Sequence, residues 1–228
     1  EVKFDGFRAL ALKDGRITSL ISRNGKSLAD RFPGLAEAVG ELPARSLVLD
    51  GEVVVLDPEG RSSFQLLQSL PTAGRTAPPL FYYVFDLLHL DGRDLRARPL
   101  LERKELLASL MRSAPDQLRL SSSLESDPEP LLKEMKERGL EGLIAKRAHS
   151  VYEAGRRSGA WVKFKWSQEQ EFVIGGFTEP RGSRDLFGAI LVGYYQSGRR
   201  WFVAKVGTGF DQRLLLQLHA KFLPLVQP

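Results

Sequence analysis

The sequence predicts a two-part α+β fold, with antiparallel sheets and helices first and a small β-barrel after them. One observation is size, because 228 residues of which 43% are hydrophobic suffice for one large domain or two smaller ones. Another is a series of short alternating apolar segments joined by tight turns, which is typical of antiparallel sheets. The third is a change of composition at the polar stretch Ser167–Glu171, which we interpret as a linker between domains at 1–166 and 167–228.

The first 166 residues contain patterns for strands and for helices. Residues 7–13 and 16–22 alternate in polarity and are joined by Asp14-Gly15, which predicts a β-hairpin. The first helix is expected to have its N-cap at Ser27 or Asp30 and to stop at Gly40. Further strands are predicted over 47–56 (which Asp50-Gly51-Glu52 interrupts), 80–88, 142–146 and 161–165, and helices over 27–39, 63–70, 99–111 and 128–138.

After the linker the pattern changes to short strands with glycine-rich turns. Three strand-like runs cover 171–178, 187–195 and 200–206, and a helix is predicted over 211–222. Short strands separated by such turns favour a small β-barrel for this part of the chain.

The positive charge of the chain is concentrated in one segment. The formal net charge is +5, and residues 146–166 contain six basic residues and one acid, Glu153. Aromatic residues interleave with this charge, which favours a polyanionic partner, although a solvated basic face is the commoner explanation of such a run. The basic residues are Lys146, Arg147, Arg156, Arg157, Lys163 and Lys165.

Composition excludes several classes of site and location. With no cysteine, disulfides and zinc–thiolate sites are excluded, and three widely spaced histidines disfavour a histidine metal site. Any metal should therefore be a hard cation on carboxylates, Mg²⁺ or Mn²⁺. The apolar runs are too short to span a membrane, and no signal-peptide pattern is present. Because the chain opens at Glu1 rather than Met, we expect it to be a piece of a longer protein.

The segment Lys3–Arg8 is the strongest candidate for chemistry. With a reference pKa near 10.4, only about 1 in 2500 lysines is neutral at pH 7, which costs about 4.6 kcal/mol for a nucleophilic lysine. Positive charge from Arg8 or from a metal held by Asp5 lowers that cost, and Gly6 lets backbone approach a ligand. The alternative is an amphipathic edge strand, which the six residues alone favour equally.

Carboxylates beside glycines suggest where a metal is held. Asp50-Gly51-Glu52 places two carboxylates at a strand start, and Glu141-Gly142 precedes another apolar strand. Such carboxylates suit a divalent cation over a phosphate. Taken singly, Glu141 is better explained as a capping or turn residue, and the same explanation competes for Glu52.

Aromatic and basic residues complete the candidate site. In the aromatic strand 81–86, most rings should be core, but one can stack on a flat heterocycle. Lys163 and Lys165 alternate on a strand, so their ammonium groups should emerge on one face about 7 Å apart and cradle phosphates. Arg23, in the turn Ser22–Gly25, is another phosphate-binding candidate.

These motifs occur in one fixed order, and that order resembles the nucleotidyltransferase core of ATP-dependent DNA ligases. The motifs are Lys-x-Asp-Gly-x-Arg, Ser-Arg-Asn-Gly, Asp-Gly-Glu, the aromatic Phe-Asp strand, Glu-Gly-Leu-Ile-Ala-Lys and Trp-x-Lys-x-Lys. The segments Tyr152–Trp161 and Val206–Phe210 are most similar to bacterial DNA ligase D. The resemblance covers nearly the whole chain.

The resemblance implies a role for each candidate residue. Lys3 attacks the α-phosphorus of ATP and carries AMP, while Asp5 organises metal and nick. The residues implied to bind adenine are Glu1, at its amino group, and Phe85, by stacking. Those implied to bind ribose, phosphates or the metal are Arg8 and Arg23 (ribose or nick phosphates), Glu52 (ribose and metal), Glu141 (metal), and Lys163 and Lys165 (phosphates). Lys146, Arg147, Arg156 and Arg157 are the candidates for binding duplex phosphates.

The resemblance also implies an architecture, a reaction and partners. The fold is an ATP-grasp-like adenylation domain over 1–166 followed by an OB-fold β-barrel over 167–228 that is incomplete at its C-terminus. The reaction seals 5′-phosphate and 3′-hydroxyl ends of nicked or broken DNA through a lysine–AMP intermediate, in repair by non-homologous end joining. The implied partners are bacterial Ku and fused or separate polymerase and nuclease domains. We expect a monomer in the bacterial cytoplasm, associated with the nucleoid.

Two alternatives remain open from the sequence. An RNA ligase or a GTP-dependent capping enzyme shares the Lys-x-Asp-Gly core, and nucleotide and substrate preference separates these from a DNA ligase. A non-enzymatic DNA-binding module is disfavoured because the candidate nucleophile Lys3 and the carboxylates Glu52 and Glu141 are all present.

Overall fold

The structure is a computed structural model that describes residues 1–70, 78–125, 127–156, 158–165, 170–180 and 185–226. Two compact units, Glu1–Trp166 and Ser167–Pro228, are described separately below. Arg157 and most of the predicted linker Ser167–Glu171 lie outside the described residues. No helix in the described ranges is both long enough and apolar enough to cross a membrane.

A six-stranded sheet forms the centre of the first unit. Its order is β2-β1-β3-β4-β5, and β6 pairs with β4 in parallel while the other pairs are antiparallel. The predicted hairpin at Asp14-Gly15 is confirmed, and Gly15 has the positive φ of 58° that this turn needs. The strands are β1 Phe7–Asp14, β2 Ile17–Ser22, β3 Ser46–Val55, β4 Leu80–Leu90, β5 Arg93–Asp94 and β6 Leu118–Leu120.

Strand alternation separates the core from the face that carries polar residues. Ala9, Leu49 and Val84 are buried in the hydrophobic core together with Leu107, a helix residue. Side chains of neighbouring strand residues point to the opposite face, which therefore carries the polar residues of β1, β3 and β4. The polar face holds Arg8, Asp50, Glu52 and Tyr83.

The described residues of the first unit form four α-helices, and one of them begins later than predicted. The first helix starts at Pro33 and not near Ser27, because the Ser27 hydroxyl accepts a hydrogen bond from the Ala29 N–H (3.3 Å) in a local turn. Proline at the first helical position favours this later start, and Gly40 lies inside the helix. The helices are α1 Pro33–Glu41, α2 Phe64–Gln68, α3 Leu100–Leu110 (continued by a 3₁₀ turn, Met111–Ser113) and α4 Pro128–Glu137.

The segment Asp50-Gly51-Glu52 lies inside β3 and does not interrupt it. The partner strand β4 absorbs the irregularity instead: Asp50 pairs with Asp86 while Gly51 pairs with Val84, so Phe85 is the extra residue of a β-bulge. Bulges re-aim side chains next to functional sites. The expectation that these carboxylates begin a strand was therefore wrong.

A two-stranded antiparallel sheet completes the first unit. It consists of β7 Gly142–Lys146 and β8 Trp161–Lys165, as predicted. Residues 1–3 run along β7, since the Lys3 N–H donates to the Gly142 carbonyl and the Ile144 N–H to the Glu1 carbonyl, both at 2.9 Å. This pairing brings the start of the chain beside Glu141.

Close backbone packing explains two motif glycines. A Cβ on Gly6 would lie 2.2 Å from the Val53 carbonyl oxygen, and one on Gly142 would lie 1.9 Å from that of Phe164. Gly142 also has a φ of 147°, which side chains rarely adopt. Gly6 thus serves the approach of another strand, whereas the sequence suggested the approach of a ligand.

The second unit contains a three-stranded antiparallel sheet and a helix. The sheet order is β11-β10-β9, with β9 Val173–Phe177, β10 Ile190–Gln196 and β11 Arg199–Val206. Helix α5, Gln212–Phe222, is capped by Asp211, whose side chain accepts from the Leu214 N–H at 2.7 Å. Phe177 stacks on Phe222 of this helix (5.7 Å between centroids). The described residues form no closed barrel, so the predicted β-barrel is not confirmed.

Candidate active site

Lys3 and Glu141 form an ion pair at the junction of the two sheets. The Lys3 ammonium contacts Glu141 Oε2, and the side chains are 12% and 26% exposed. The other oxygen, Glu141 Oε1, lies 3.2 Å from the ammonium of Lys165 on β8. Because Glu141 immediately precedes β7 and residues 1–3 pair with that strand, the backbone itself brings this pair together.

Glu52 is a buried carboxyl next to the same lysine. It pairs in register with Arg8 across β1 and β3. Burial, with added repulsion from Asp50 and Glu141, raises the pKa of Glu52 to about 7. The attraction of Arg8 and Lys3 lowers this pKa but is weaker than burial. A carboxyl with this pKa exchanges its proton near neutral pH.

Arg8 is held by a fully buried carboxylate. Its Nε lies 3.0 Å from Asp50 Oδ1 and its Nη2 lies 2.6 Å from Asp50 Oδ2, which is a bidentate pair. The Tyr152 hydroxyl donates to the same Oδ2 at 2.8 Å. Bonding to Asp50 raises the pKa of Arg8, so this guanidinium is a permanent positive charge.

An aromatic wall, formed by Trp161 and by Phe85, which is only 8% exposed, lies beside Arg8. Phe85 and Trp161 meet edge to face with centroids 5.8 Å apart. The Arg8 guanidinium lies 5.5 Å from the Phe85 ring, and the Lys146 ammonium lies 4.6 Å from it and 4.2 Å from the Trp161 ring. Rings flanked by cations suit a flat, electron-rich heterocycle.

The Glu1 carboxylate lies in a buried polar cluster next to Lys146, whose ammonium contacts both rings of this wall. Oε1 contacts the Lys104 ammonium, and Oε2 contacts that of Lys146, each at 3.0 Å, while the Ser121 hydroxyl donates to Oε2 at 3.1 Å. Burial alone would raise the pKa of Glu1, but Lys146 and Lys104 together hold the pKa below its ordinary value. Glu1 is therefore an ionised hydrogen-bond acceptor.

Lys146 does not belong to an exposed duplex-binding surface, contrary to the sequence-based prediction. Its side chain is only 4% exposed, and its ammonium pairs with Glu1 and donates to the Phe85 carbonyl at 3.3 Å. Burial lowers its pKa. Arg147 and Arg156 are exposed, as a contact with a large polyanion requires.

The remaining basic candidates differ in position. Lys163 and Lys165 pair with Ile144 and Gly142, so they occupy alternate positions of β8 as predicted. Lys163 is an exposed residue, yet partial burial lowers its pKa, and repulsion from Lys3, Arg8 and Lys165 lowers it further. Arg23 is exposed in the turn after β2.

The predicted metal ligands are brought together only in part. Among the described residues, no group of three or more His, Asp and Glu side chains is placed to hold a metal. Besides burial, the charge of Glu141 contributes to the raised pKa of Glu52. Asp5 instead accepts a hydrogen bond from the Phe64 N–H at 3.2 Å, at the start of α2. Two carboxylates fit a hard cation that takes its other oxygens from phosphate and water, as Mg²⁺ usually does.

Several site residues were missed by reasoning from the sequence. Asp50 was noticed only as part of its motif, and Tyr152 only as part of a similar segment. Lys104 and Ser121 gave no signal, because a lysine in a helix and a serine after a strand have many ordinary roles. Their contacts to Glu1 join residues more than 100 positions apart.

Comparisons with known proteins identify the family of the chain. The protein family described as ATP dependent DNA ligase domain matches residues 1–165. The multifunctional non-homologous end joining protein LigD of Pseudomonas aeruginosa is 42% identical over 99% of this chain and 27% of the relative. The corresponding DNA repair protein LigD of Mycobacterium tuberculosis is 36% identical over 99% of this chain and 29% of the relative. The chain thus spans less than a third of the length of either relative.

A solved structure gives the same assignment. The structure of a mycobacterial DNA ligase D complexed with ATP and MES superposes with a TM-score of 0.67 and 35% identity, over 98% of this chain and 71% of that chain. It also supports the mixed α+β architecture with antiparallel sheets. The family match over most of the chain, together with these relatives, establishes that the chain belongs to the ATP dependent DNA ligase domain family.

Proposed function

We propose that the chain is the adenylating part of a DNA ligase that joins 5′-phosphate and 3′-hydroxyl DNA ends in non-homologous end joining. The observation that carries the proposal is the position of Lys3. Its ammonium pairs with Glu141, and its charge acts on Glu52 and on Lys163. A lysine that contacts a carboxylate able to accept its proton, beside a further lysine that can bind phosphate, is suited to nucleophilic attack on a phosphate.

In the first step, the Lys3 nitrogen attacks the α-phosphorus of ATP. The new bond joins nitrogen to phosphorus, the bond to the bridging oxygen breaks, and pyrophosphate leaves. The ammonium must first lose a proton, and Glu141, in contact with it, and Glu52, with a pKa of about 7, are the acceptors at hand. Lys163 and Lys165 neutralise charge that develops on the phosphates.

Base recognition in this proposal uses the aromatic wall and the buried carboxylate of Glu1. Phe85 stacks on adenine, and the ionised Glu1 accepts from the adenine amino group. The permanent charge of Arg8 serves ribose or phosphate, and Arg23 is a further phosphate ligand from the turn after β2.

In the later steps, AMP moves from Lys3 to the DNA 5′-phosphate, and the 3′-hydroxyl then attacks that phosphate and expels AMP. The exposed Arg147 and Arg156 are the proposed contacts to duplex phosphates, so DNA binding should weaken steeply with salt. Arg157 belongs to the same proposal from sequence alone.

A divalent cation, Mg²⁺ or Mn²⁺, is proposed as cofactor, with Glu52 and Glu141 as its protein ligands. When bound, it supplies positive charge that lowers the cost of a neutral Lys3 and of the negative charge on phosphate. Asp5 positions α2 at the edge of the site through the Phe64 N–H.

The wider assignment remains a proposal for the whole protein. We propose that residues 1–166 form the adenylation domain and that residues 167–228 are part of an OB-fold, in which the three-stranded sheet and α5 are included. The names of the relatives, non-homologous end joining proteins, support DNA ends as substrate and an end-binding partner such as bacterial Ku. A monomer remains the expected state.

The test is covalent labelling with ATP radiolabelled at the α-phosphate. Wild-type protein should acquire label that pyrophosphate or nicked DNA removes, and Lys3→Ala should acquire none. Lys136→Ala, at an exposed position of α4, is the matched control and should label like wild type. Equal labelling of Lys3→Ala and wild type would overturn the proposal, and stronger labelling by GTP would favour a capping-type enzyme.

A further inference from the structure

The loop between β7 and β8 is fastened to the first unit by its backbone. The Tyr152 N–H donates to the Arg96 carbonyl at 2.8 Å, and the Ser150 carbonyl accepts from the Leu100 N–H at 2.9 Å. The Arg103 guanidinium adds a bond to the same Ser150 carbonyl at 3.2 Å. These contacts fix the loop up to residue 152. The residues that follow include the exposed Arg156.

The Tyr152 side chain extends from this fixed point into the sheet. Its hydroxyl lies 2.8 Å from Oδ2 of Asp50, a residue 102 positions earlier whose side chain is fully buried. The Tyr152 ring meets Trp161 edge to face at 6.2 Å. Burial, followed by the charge of Asp50, raises the pKa of Tyr152, so the hydroxyl keeps its proton and donates.

Asp50 in turn has its oxygens divided between two partners. Oδ1 accepts from Arg8 Nε, while Oδ2 accepts from both Arg8 Nη2 and the Tyr152 hydroxyl. A carboxylate bonded on one side only by Arg8 can turn together with the arginine. The third bond, from a residue on a fastened backbone, fixes the plane of the carboxylate and with it the guanidinium plane.

Arg8 is the part of this network that reaches the candidate site. Its side chain is 42% exposed and lies over both the Phe85 and the Trp161 ring, at 5.5 and 5.6 Å. Its charge also acts on Glu52 and Lys163. Rotation of this guanidinium would therefore change the site directly.

We propose that Tyr152 is a positioning residue for Arg8 that does not touch the substrate. It acts through Asp50 and through its own hydroxyl, which accepts a hydrogen bond from Arg8 Nη2 at 3.4 Å. The inference rests on the proposed function, in which Arg8 contacts ribose or nick phosphates. It assigns the loop between β7 and β8 a second role besides DNA contact, because the same loop sets the orientation of an active-site cation.

The test is a double-mutant cycle with Tyr152→Phe and Arg8→Gln in the full-length protein. Phenylalanine keeps the ring contact with Trp161 and removes only the hydroxyl. In single-turnover assays, we expect Tyr152→Phe to slow Lys3 adenylation or nick sealing about tenfold, at the same step that Arg8→Gln slows. In the Arg8→Gln background, Tyr152→Phe should have little further effect.

Each outcome of the cycle either supports or overturns the proposed role of Tyr152. Equal slowing by Tyr152→Phe in both backgrounds, slowing at a different step, or no effect of either single variant would overturn the proposal. A lower melting temperature with unchanged rates would show that Tyr152 only stabilises the loop. Tyr195→Phe, which removes an exposed hydroxyl on β10, should leave rates unchanged. If wild type forms no Lys3–AMP adduct, the proposed function itself has failed.

Discussion

The ion pairs Arg103–Asp86 and Lys3–Glu141 lie in the same unit but differ in exposure and in the number of their bonds. Both side chains of the first pair are 0% exposed, whereas Lys3 and Glu141 are 12% and 26% exposed. Arg103 uses Nε and Nη2 on the two Asp86 oxygens, at 2.8 and 2.9 Å, and Nη1 on the Arg98 and Ser150 carbonyls.

The Lys3 side chain makes fewer polar contacts than the Arg103 side chain. Its ammonium contacts Oε2 of Glu141, whereas Oε1 of Glu141 contacts the ammonium of Lys165. A fully bonded buried pair fixes structure, because any movement leaves a charge without a partner. A partly exposed pair with fewer bonds leaves room for a ligand to replace one partner. The difference separates a pair that holds α3 against β4 from a pair that can take part in a reaction.

Breaking the buried pair should give the largest loss of stability. Arg103→Met leaves Asp86 charged and without its guanidinium in the core, which costs about 3–5 kcal/mol. The free energy of unfolding, measured by urea denaturation, should fall by that amount. Arg138→Met on the surface pair with Glu134, with side chains 66% and 50% exposed, is the control and should cost less than about 1 kcal/mol. Similar losses in both variants would contradict the distinction between the two kinds of pair.

Local patterns predicted the strands that carry the site. Asp14-Gly15 fixed the hairpin of β1 and β2, and the alternation of β8 put Lys163 and Lys165 on one face, because both signals act between neighbours in sequence. The start of α1 was predicted six residues too early, since Ser27 offers the same hydroxyl to a turn as to a helix cap.

Contacts across the fold were beyond the reach of local patterns. Lys146 was assigned to DNA because its neighbours in sequence are basic, yet its position at the end of β7 directs it to Glu1 and Phe85. Nothing local relates Tyr152 to Asp50 either. Such pairs depend on how the two sheets meet, which periodicity within one strand does not contain.

Glu52, a carboxyl of the candidate site, should make the stability of the protein depend on pH, because its charge is incompletely paired. Between 4.5, its ordinary pKa, and about 7, the folded protein keeps a proton on Glu52 that the unfolded chain has released. Stability therefore falls as pH rises through this window, by about 3 kcal/mol from this group. Glu52→Gln lacks the decrease, so its free energy of unfolding relative to wild type should rise across the window and level off above pH 7.

Chemical denaturation at several pH values, without metal or nucleotide, measures this difference. Glu37→Gln, at an exposed position of α1, controls for the loss of a carboxylate as such. A difference between Glu52→Gln and wild type that does not change with pH would mean that Glu52 is paired as completely as Asp86.

Of the ion pairs Arg103–Asp86 and Lys3–Glu141, the smaller change in stability is expected from the second, in Lys3→Ala, the variant that should lose all labelling. Glu141 keeps Lys165 at 3.2 Å, and its partial exposure lets the carboxylate turn towards water. Removal of Lys3 should therefore lower the free energy of unfolding by only about 1 kcal/mol, by the same urea measurement as for Arg103→Met. A loss as large as that of Arg103→Met would show that Lys3–Glu141 holds the fold as well, and the absence of labelling in Lys3→Ala would then reflect unfolding rather than a missing nucleophile.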